Sequence, residues 1–190
     1  MRTLILLPSA VLAIAGCSAS FESAPASQAA APYRLTATIQ DLMEGIIDPS
    51  ADVLWNSVAY IATRHSVEDR QPRTDEEWQS VRYSAITLIE AANLLSMPGR
   101  SVAAAHAVTG AESPPASGEL TRAEIQQRID STHEAFTAFA RNLQNAATQA
   151  LTAIDSRNAQ GLMDLGSVID QACEACHVTY WYPSQNRPGT

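Results

Sequence analysis

The chain has 190 residues, a formal net charge of −8, and twelve basic residues, all of which are arginine. An acidic surface is a poor match for nucleic acid or anionic lipid, so no nucleic-acid partner is expected, and a protein partner should be basic or largely neutral. The length is sufficient for one domain with a sizeable core.

Residues 1–16 have the composition of an export signal. Arg2 gives a basic start, and residues 4–15 are almost wholly apolar but too few to span a membrane. The segment leads into Ile14-Ala-Gly-Cys17, which resembles the bacterial lipobox, in which the cysteine is acylated and becomes the new N-terminus. That resemblance implies a lipid anchor at Cys17 and, because Ser18 follows it, a periplasm-facing position at the outer membrane. An ordinary signal peptide with an incidental cysteine is the alternative.

The other boundaries follow from composition. Residues 17–32 are poor in large apolar residues and predict a flexible tether. Residues 33–183 carry helical patterns and should form the folded domain, and residues 184–190 should be a loose tail.

The first predicted helix covers residues 35–64. Its apolar residues keep to one stripe at helical spacing: Ile39, Leu42, Met43, Ile46, Leu54, Val58 and Ile61. Pro49 interrupts the helix, but the apolar register continues after it. The pattern therefore predicts one kinked helix or two nearly collinear ones.

Three further helices are predicted, and two of them begin with a capping box. The box at residues 74–77 opens the second helix, which residues 97–99, Met-Pro-Gly, bring to an end. The box at residues 121–124 opens the longest helix, which runs to a break at residues 156–158. The last helix then continues to Tyr180.

No segment reads as a strand, and residues 100–120, with two prolines and two glycines, read as a surface loop. Four helical segments with a consistent apolar stripe predict an all-α fold. The expected architecture is an antiparallel four-helix bundle with a cofactor on its C-terminal helix.

The last helix carries Cys173-Glu-Ala-Cys176-His177, which has the C-x-x-C-H spacing of covalent haem attachment. Each cysteine can add to one haem vinyl group as a thioether, and the histidine then reaches the iron. On a helix these positions are i, i+3 and i+4, which lie on one face. The motif predicts one haem c, held by Cys173, Cys176 and His177.

Zinc binding and a redox disulfide are the alternatives for the cysteine pair. A zinc site would need four ligands, whereas the chain has no second cysteine pair, and His65, His106 and His133 are scattered without ligand spacing. A thioredoxin-like pair would follow a strand and open a helix early in the domain, whereas this motif closes the chain.

A bundle with C-x-x-C-H on its last helix resembles the cytochrome c′ family, most densely over residues 159–180 and more weakly over residues 33–47. The resemblance implies a haem-containing four-helix bundle that either binds gases as a five-coordinate protein or carries electrons as a low-spin, methionine-ligated one. It also implies a homodimer, since such relatives often pair through their first two helices. The sequence departs from the family after Tyr180, where Trp181 stands in place of a basic residue.

The resemblance assigns the sixth position on the iron to Met43. Low-spin relatives have a methionine on the first helix in a segment of the form Ile-x-x-x-Met-Gly. Here Ile39-Gln-Asp-Leu-Met43-Glu-Gly45 is similar, with Glu44 intervening. The alternative is a core methionine that only packs against the porphyrin. The weaker candidates are Met97, Met163 and His133.

Two functions follow from this choice. With His177 and Met43 both bound, the haem is poised for one-electron transfer at raised potential, whereas with Met43 unbound it would bind NO or CO. A third alternative is a structural lipoprotein that holds haem without using it. We see no acid–base or nucleophile constellation for hydrolysis, so we expect no enzyme, and the redox partner is left unspecified.

Overall fold

The computed structural model describes residues 33–104 and 118–183. The expected leader, the lipid anchor at Cys17, the tether, His106 and the tail lie outside these residues. The chain divides into two compact units, Met1–Arg34 and Leu35–Thr190, and the second contains all the helices and strands of the described residues. In the described part of the chain, no helix is long and apolar enough to cross a membrane.

Helices make up most of the described chain, which confirms the all-α expectation in its coarse form, and a small two-stranded sheet interrupts them. The helical elements are α1 (Ile39–Leu42), a π-helical turn (Met43–Ile47), α2 (Asp48–Ser57), α3 (Asp75–Leu95), α4 (Arg122–Ser131), α5 (His133–Asp155) and α6 (Ala159–Tyr180). The strands are β1 (Ala59–Ala62) and β2 (Val67–Arg70).

The first helical segment begins at Ile39 and not at residue 35. Thr38 is its N-cap. The Thr38 hydroxyl oxygen accepts a hydrogen bond from the Asp41 N–H at 3.0 Å, and the Asp41 carboxylate accepts one from the Thr38 N–H at 2.8 Å. This reciprocal box fixes the start of the helix. The sequence did not reveal it because an aspartate stands where the usual box has glutamate or glutamine.

Pro49 was expected to interrupt the first helix, and the structure has a π-helical turn just before it. In a regular α-helix, the proline ring would clash with the carbonyl group four residues earlier, which here belongs to Gly45, and would leave it without a donor. The wider turn takes up this misfit, and the Asp48 N–H donates to the Met43 carbonyl oxygen to close it. The chain therefore stays helical from α1 into α2.

The prediction of helix up to residue 64, and of no strand, was wrong. Val58 is extended, with φ −135° and ψ 133°, and β1 pairs antiparallel with β2 so that Tyr60 lies opposite Asp69. Ile61, which was expected on the buried stripe, is 46% exposed. The error arose because valine and isoleucine three residues apart fit a helical stripe, although β-branched and aromatic residues favour strands.

The long predicted third helix is in fact two helices, because the chain breaks at Thr132, with φ −134° and ψ 37°. The Thr132 hydroxyl donates to the Arg128 carbonyl oxygen at 2.8 Å and lies 3.0 Å from the Tyr180 hydroxyl. Such side-chain bonding to the backbone competes with regular helix. Periodicity did not reveal the break, because Ile129 and Phe136 on either side of it are both buried.

The remaining boundaries agree with the sequence. α3 begins after Thr74, whose hydroxyl accepts from the Glu77 N–H at 3.2 Å, while the Glu77 carboxylate accepts from the Thr74 N–H at 3.0 Å. α4 begins after Thr121 with the same reciprocal box. The break before α6 includes Arg157 in the left-handed region, with φ 53°.

α5 packs on both α3 and α6, and the α1–α2 segment contacts α3 and α6. α3 and α5 run in opposite directions, because Arg82 meets Asp155 at one end of the pair, while Asn93 meets Gln144 farther along. The largest fully buried side chains are Tyr180, Phe136, Ile39, Leu42, Ile47, Leu54, Leu88, Leu162 and Ile169.

α2 and α6 are also antiparallel. The Trp55 indole N–H donates to the Gly166 carbonyl oxygen at 3.0 Å, whereas Asp48, two turns earlier on α2, interacts electrostatically with His177, three turns later on α6. This register places the turn that begins at Met43 beside the C-terminal end of α6.

Tyr180 fixes that end of α6 to the junction between α4 and α5. Its side chain is 1% exposed, and its ring packs edge-on against Phe136 and Phe139 at centroid distances of 5.2 and 6.0 Å. Its hydroxyl group lies 3.0 Å from the Thr132 hydroxyl. Arg128 donates to the Thr179 carbonyl oxygen at 2.6 Å, which satisfies one of the last carbonyl groups of the helix.

Tyr180→Ala should lower the free energy of unfolding of the full chain by about 3–5 kcal/mol, because it leaves an aromatic-sized cavity. Tyr180→Phe keeps the ring packing and loses only the hydroxyl hydrogen bond, so it should cost about 1 kcal/mol. Denaturant unfolding followed by circular dichroism measures both values. Equal losses in the two variants would contradict the role assigned to the ring.

Candidate functional site

One pocket at the junction of the first helical segment, α3, α5 and α6 brings together the residues that the sequence singled out. It is partly open to solvent, and the space inside it that water could occupy is about 30 Å³. Its lining residues are Met43, Ile47, Asp48, Leu95, Phe136, Phe139, Ala140, Leu143, Ala172, Cys173, Cys176 and His177. Of the predicted site residues, only Cys17, which lies outside the described part of the chain, is not placed in it.

The attachment motif lies on the buried stripe of α6. Leu162, Ile169 and Tyr180, which share this stripe, are at most 2% exposed, whereas Cys173 and Cys176 are only half-buried. Both cysteines are free thiols. Core-facing side chains are left partly accessible here because the pocket, and not another helix, lies in front of them.

His177 follows the cysteines into the same pocket. Its ring lies among the aromatic residues that end α6, with centroid distances of 5.8 Å to Trp181 and 6.2 Å to Tyr182. The Tyr182 hydroxyl donates to the Glu174 carboxylate at 2.6 Å. Trp181 therefore packs beside the imidazole and supplies an apolar neighbour.

Burial keeps both thiols protonated. It raises the pKa of Cys173 to about 11, with a further increase from the charge of Asp48, and it raises the pKa of Cys176 to about 12. A reactive redox pair requires the opposite, a thiolate stabilised near neutral pH. Nor do the described residues contain a group of three or more Cys, His, Asp and Glu side chains arranged to hold a metal ion. Neither alternative use of the cysteine pair gains support.

Met43 is half-buried at the start of the π-helical turn. π-helical turns within helices are frequently found at functional sites. Here the Met43 carbonyl oxygen accepts the closing hydrogen bond from Asp48, while the Met43 side chain lines the pocket. The thioether and the imidazole of His177 therefore face one shared space, from different helices.

The weaker candidates for the sixth ligand lie elsewhere. Met163 lines a separate groove between α2 and α6. Met97 and His133 line a smaller cavity, where the Met97 sulfur lies 3.5 Å from an Arg100 guanidinium nitrogen. Phe136 borders both that cavity and the pocket, so it stands between His133 and the motif.

The pocket contains residues that sequence reasoning did not single out. Asp48 is its carboxylate, and burial raises the pKa of Asp48, while the nearby His177 acts in the opposite direction. Phe139 forms part of the wall with Leu143. Their spacing of four residues on α5 could have indicated a shared face, but only the fold shows that this face meets the motif.

The donor set and the apolar character of the walls suit haem c, and the walls would have to move apart to admit a porphyrin. The porphyrin needs apolar walls, two thiols on one side for its vinyl groups, and a nitrogen ligand beside them. The pocket provides aromatic and aliphatic walls, Cys173 and Cys176, and His177. It also provides a thioether from Met43, which is the second ligand of His/Met cytochromes.

Comparisons of this chain with protein-family models, with curated proteins and with solved structures find no match.

Proposed function

We propose that the protein is a c-type cytochrome that carries single electrons through one covalently bound, His/Met-ligated haem. The observation that carries this proposal is the single apolar pocket lined by Met43, Cys173, Cys176 and His177. Residue type and spacing single out Cys173, Cys176 and His177, whereas the resemblance to the cytochrome c′ family points to Met43. The haem interpretation requires all four residues to meet in one pocket.

The proposed architecture is an antiparallel four-helix bundle of the cytochrome c′ type. Its four members are the α1–α2 segment, α3, the α4–α5 pair and α6. The contacts of α3 with α5, of α5 with α6, and of the first segment with α3 and α6 support a closed ring of helices. The antiparallel registers of α3 with α5 and of α2 with α6 support the alternation of direction.

Each pocket residue has a distinct role in this proposal. Cys173 and Cys176 hold the cofactor by thioether bonds, so its retention does not depend on affinity. His177 offers a ring nitrogen, and Met43 offers a sulfur that favours the reduced state and raises the potential. Phe136 and Phe139, with their aliphatic neighbours, exclude water from the site. When bound, the haem supplies the one-electron chemistry.

The proposed location is the periplasmic side of the outer membrane, through a lipid on Cys17. The support is the sequence at residues 14–17 and the tether composition of residues 17–32. Covalent haem attachment in bacteria takes place outside the cytoplasm, so an exported chain and a C-x-x-C-H motif agree with each other.

The double substitution Cys173→Ser with Cys176→Ser should abolish covalent haem, because serine hydroxyls do not form the thioethers. Acid–acetone should then strip all haem from the protein, and a haem stain on a denaturing gel should be negative. Wild-type protein should keep the stain. A stained band from the double variant would disprove attachment at this motif.

Met43→Ala should convert a low-spin ferric haem to a high-spin one and allow the ferrous form to bind CO. The reduction potential should also fall, because a ligand that favours the reduced state is lost. Absorption spectra and a redox titration measure these changes. Met163→Ala is the matched control: it also removes a half-buried methionine, but from the groove outside the pocket, and it should leave the spectrum unchanged.

A wild-type protein that is already high-spin and binds CO, with a spectrum that Met43→Ala does not change, would contradict methionine ligation. Met43 would then be a packing residue, and the second candidate function, a five-coordinate binder of NO or CO, would replace electron transfer. The apolar walls of the pocket favour small uncharged gases in that case.

Cys17→Ala should prevent acylation and move the protein out of the detergent-extracted membrane fraction. Incorporation of a tagged fatty acid into the wild-type chain measures the modification directly. Ser18→Ala, one residue later, should keep the label. A wild-type chain that takes up no label would assign residues 1–16 to the ordinary signal peptides.

A further inference from the structure

The charges of the chain are divided unequally among its helices. Residues 39–57 and 159–180 together contain seven carboxylates and no arginine. All twelve basic residues lie in the rest of the chain. These two segments are α1–α2 and α6, which also provide Met43 and the attachment motif. The negative charge is therefore concentrated on the helices that hold the proposed cofactor.

The seam between α2 and α6 aligns carboxylates from both helices. Trp55 meets Gly166 at one end, and Asp48 lies near Cys173 and His177 at the other. In this antiparallel register, Asp52 of α2 and Asp170 of α6 fall between the two contacts. Both are exposed.

Electrostatic couplings support this alignment. The negative charge of Asp52 acts to raise the pKa of Asp48. Asp48 and Asp170 both act to raise the pKa of Cys173. Carboxylates from the two helices therefore share one region of the surface, next to the mouth of the pocket.

No arginine of the described part of the chain forms an ion pair with these carboxylates. None of the ion pairs formed there includes Asp48, Asp52, Asp170 or Glu174, whereas arginines pair with Asp75 and Asp155 elsewhere. Like charges four residues apart on a helix, or side by side on neighbouring helices, repel each other. The repulsion would be relieved by a cationic surface placed against the seam.

A groove lined mostly by apolar residues lies at the Trp55 end of the same seam, with about 260 Å³ of space that water could occupy. Its lining residues are Leu54, Trp55, Val58, Leu162, Met163, Gly166, Ser167 and Ile169. Trp55 is 37% exposed, yet its indole is held by the hydrogen bond to Gly166, where an added Cβ would lie 3.3 Å from the ring. A rigid tryptophan beside a methionine, with charges around them, has the composition of a protein interface.

We infer that the face formed by Trp55, Met163, Asp52 and Asp170, here called the seam face, binds a partner protein with a lysine- or arginine-rich surface. The carboxylates attract and orient that surface, and Trp55 with the groove provides the apolar contact that holds it. The two segments that form the seam face contain no lysine or arginine, so the basic residues that match its carboxylates come from the partner. Only the redox role of this partner rests on the proposed function.

The test is isothermal titration calorimetry of the full haem-containing chain with a lysine-rich cytochrome c as the probe. Both proteins are kept oxidised, so that no electron passes between them. Asp52→Asn with Asp170→Asn should raise Kd about tenfold at low ionic strength, and the difference should shrink as salt is added. Trp55→Ala should raise Kd about fivefold or more at every salt concentration.

The matched control is Glu76→Gln with Glu134→Gln, which removes the same charge from exposed positions on α3 and α5. Its Kd should stay within about twofold of wild type at about 0.1 M salt, because exposed charges more than about 10 Å from the interface are then largely screened. The probe with acetylated lysines should not bind. Asp52→Asn with Asp170→Asn should keep or raise the thermal midpoint of unfolding, because it removes repulsion between carboxylates. If the two carboxylates instead stabilised the fold, the midpoint would fall.

Two results would overturn the inference. An equal loss of affinity in the control variant would show that net charge alone drives binding, and undiminished binding of the acetylated probe would show that partner cations are not recognised. The absorption spectrum separates this inference from the proposed function. If the haem is low-spin but the seam variants bind the probe as wild type does, only the docking inference is overturned. If the seam variants lose affinity but the haem is not low-spin, only electron transfer is overturned.

Discussion

The rotation of α6 about its own axis is the constraint on which the site depends. Leu162, Ile169 and Tyr180 hold one stripe of the helix in the core, and Tyr180 adds a hydrogen bond to the junction of α4 and α5. Cys173 and Cys176 belong to the same stripe, so the packing that stabilises the helix also points the motif inward. A turn of α6 that moved the cysteines would expose an aromatic side chain that is now 1% accessible.

The position of Met43 depends on a different feature, the π-helical turn. Pro49 disturbs the regular hydrogen bonding of the first helix, and the disturbance is taken up over Met43–Ile47, one turn before the proline. The sequence therefore couples a local backbone irregularity to the residue that faces the motif.

The sequence was sufficient for the elements that have strong local signals. The capping boxes before α3 and α4, the break before α6 and the three positions of the motif all follow from residue type and spacing alone. It was insufficient where tertiary contacts decide. Val58 leaves the helix although its spacing fits, and Thr132 breaks a helix whose apolar register continues, because its hydroxyl interacts with Tyr180, 48 residues away. Likewise, only the fold shows that α5 forms a wall of the pocket opposite the C-x-x-C-H motif.

The helices of the described chain contact one another to different extents. α5 packs extensively on α3 and α6, whereas α2 and α6 meet over a much shorter interface, and both helices contribute residues to the groove and to the pocket. Repulsion between carboxylates weakens this side further. In the proposed holo-protein, α6 holds the haem through Cys173, Cys176 and His177, and Met43 binds from the opposite helix. Coordination would then join two segments that make few contacts of their own, so the sixth ligand would strengthen a short helix interface as well as set the potential.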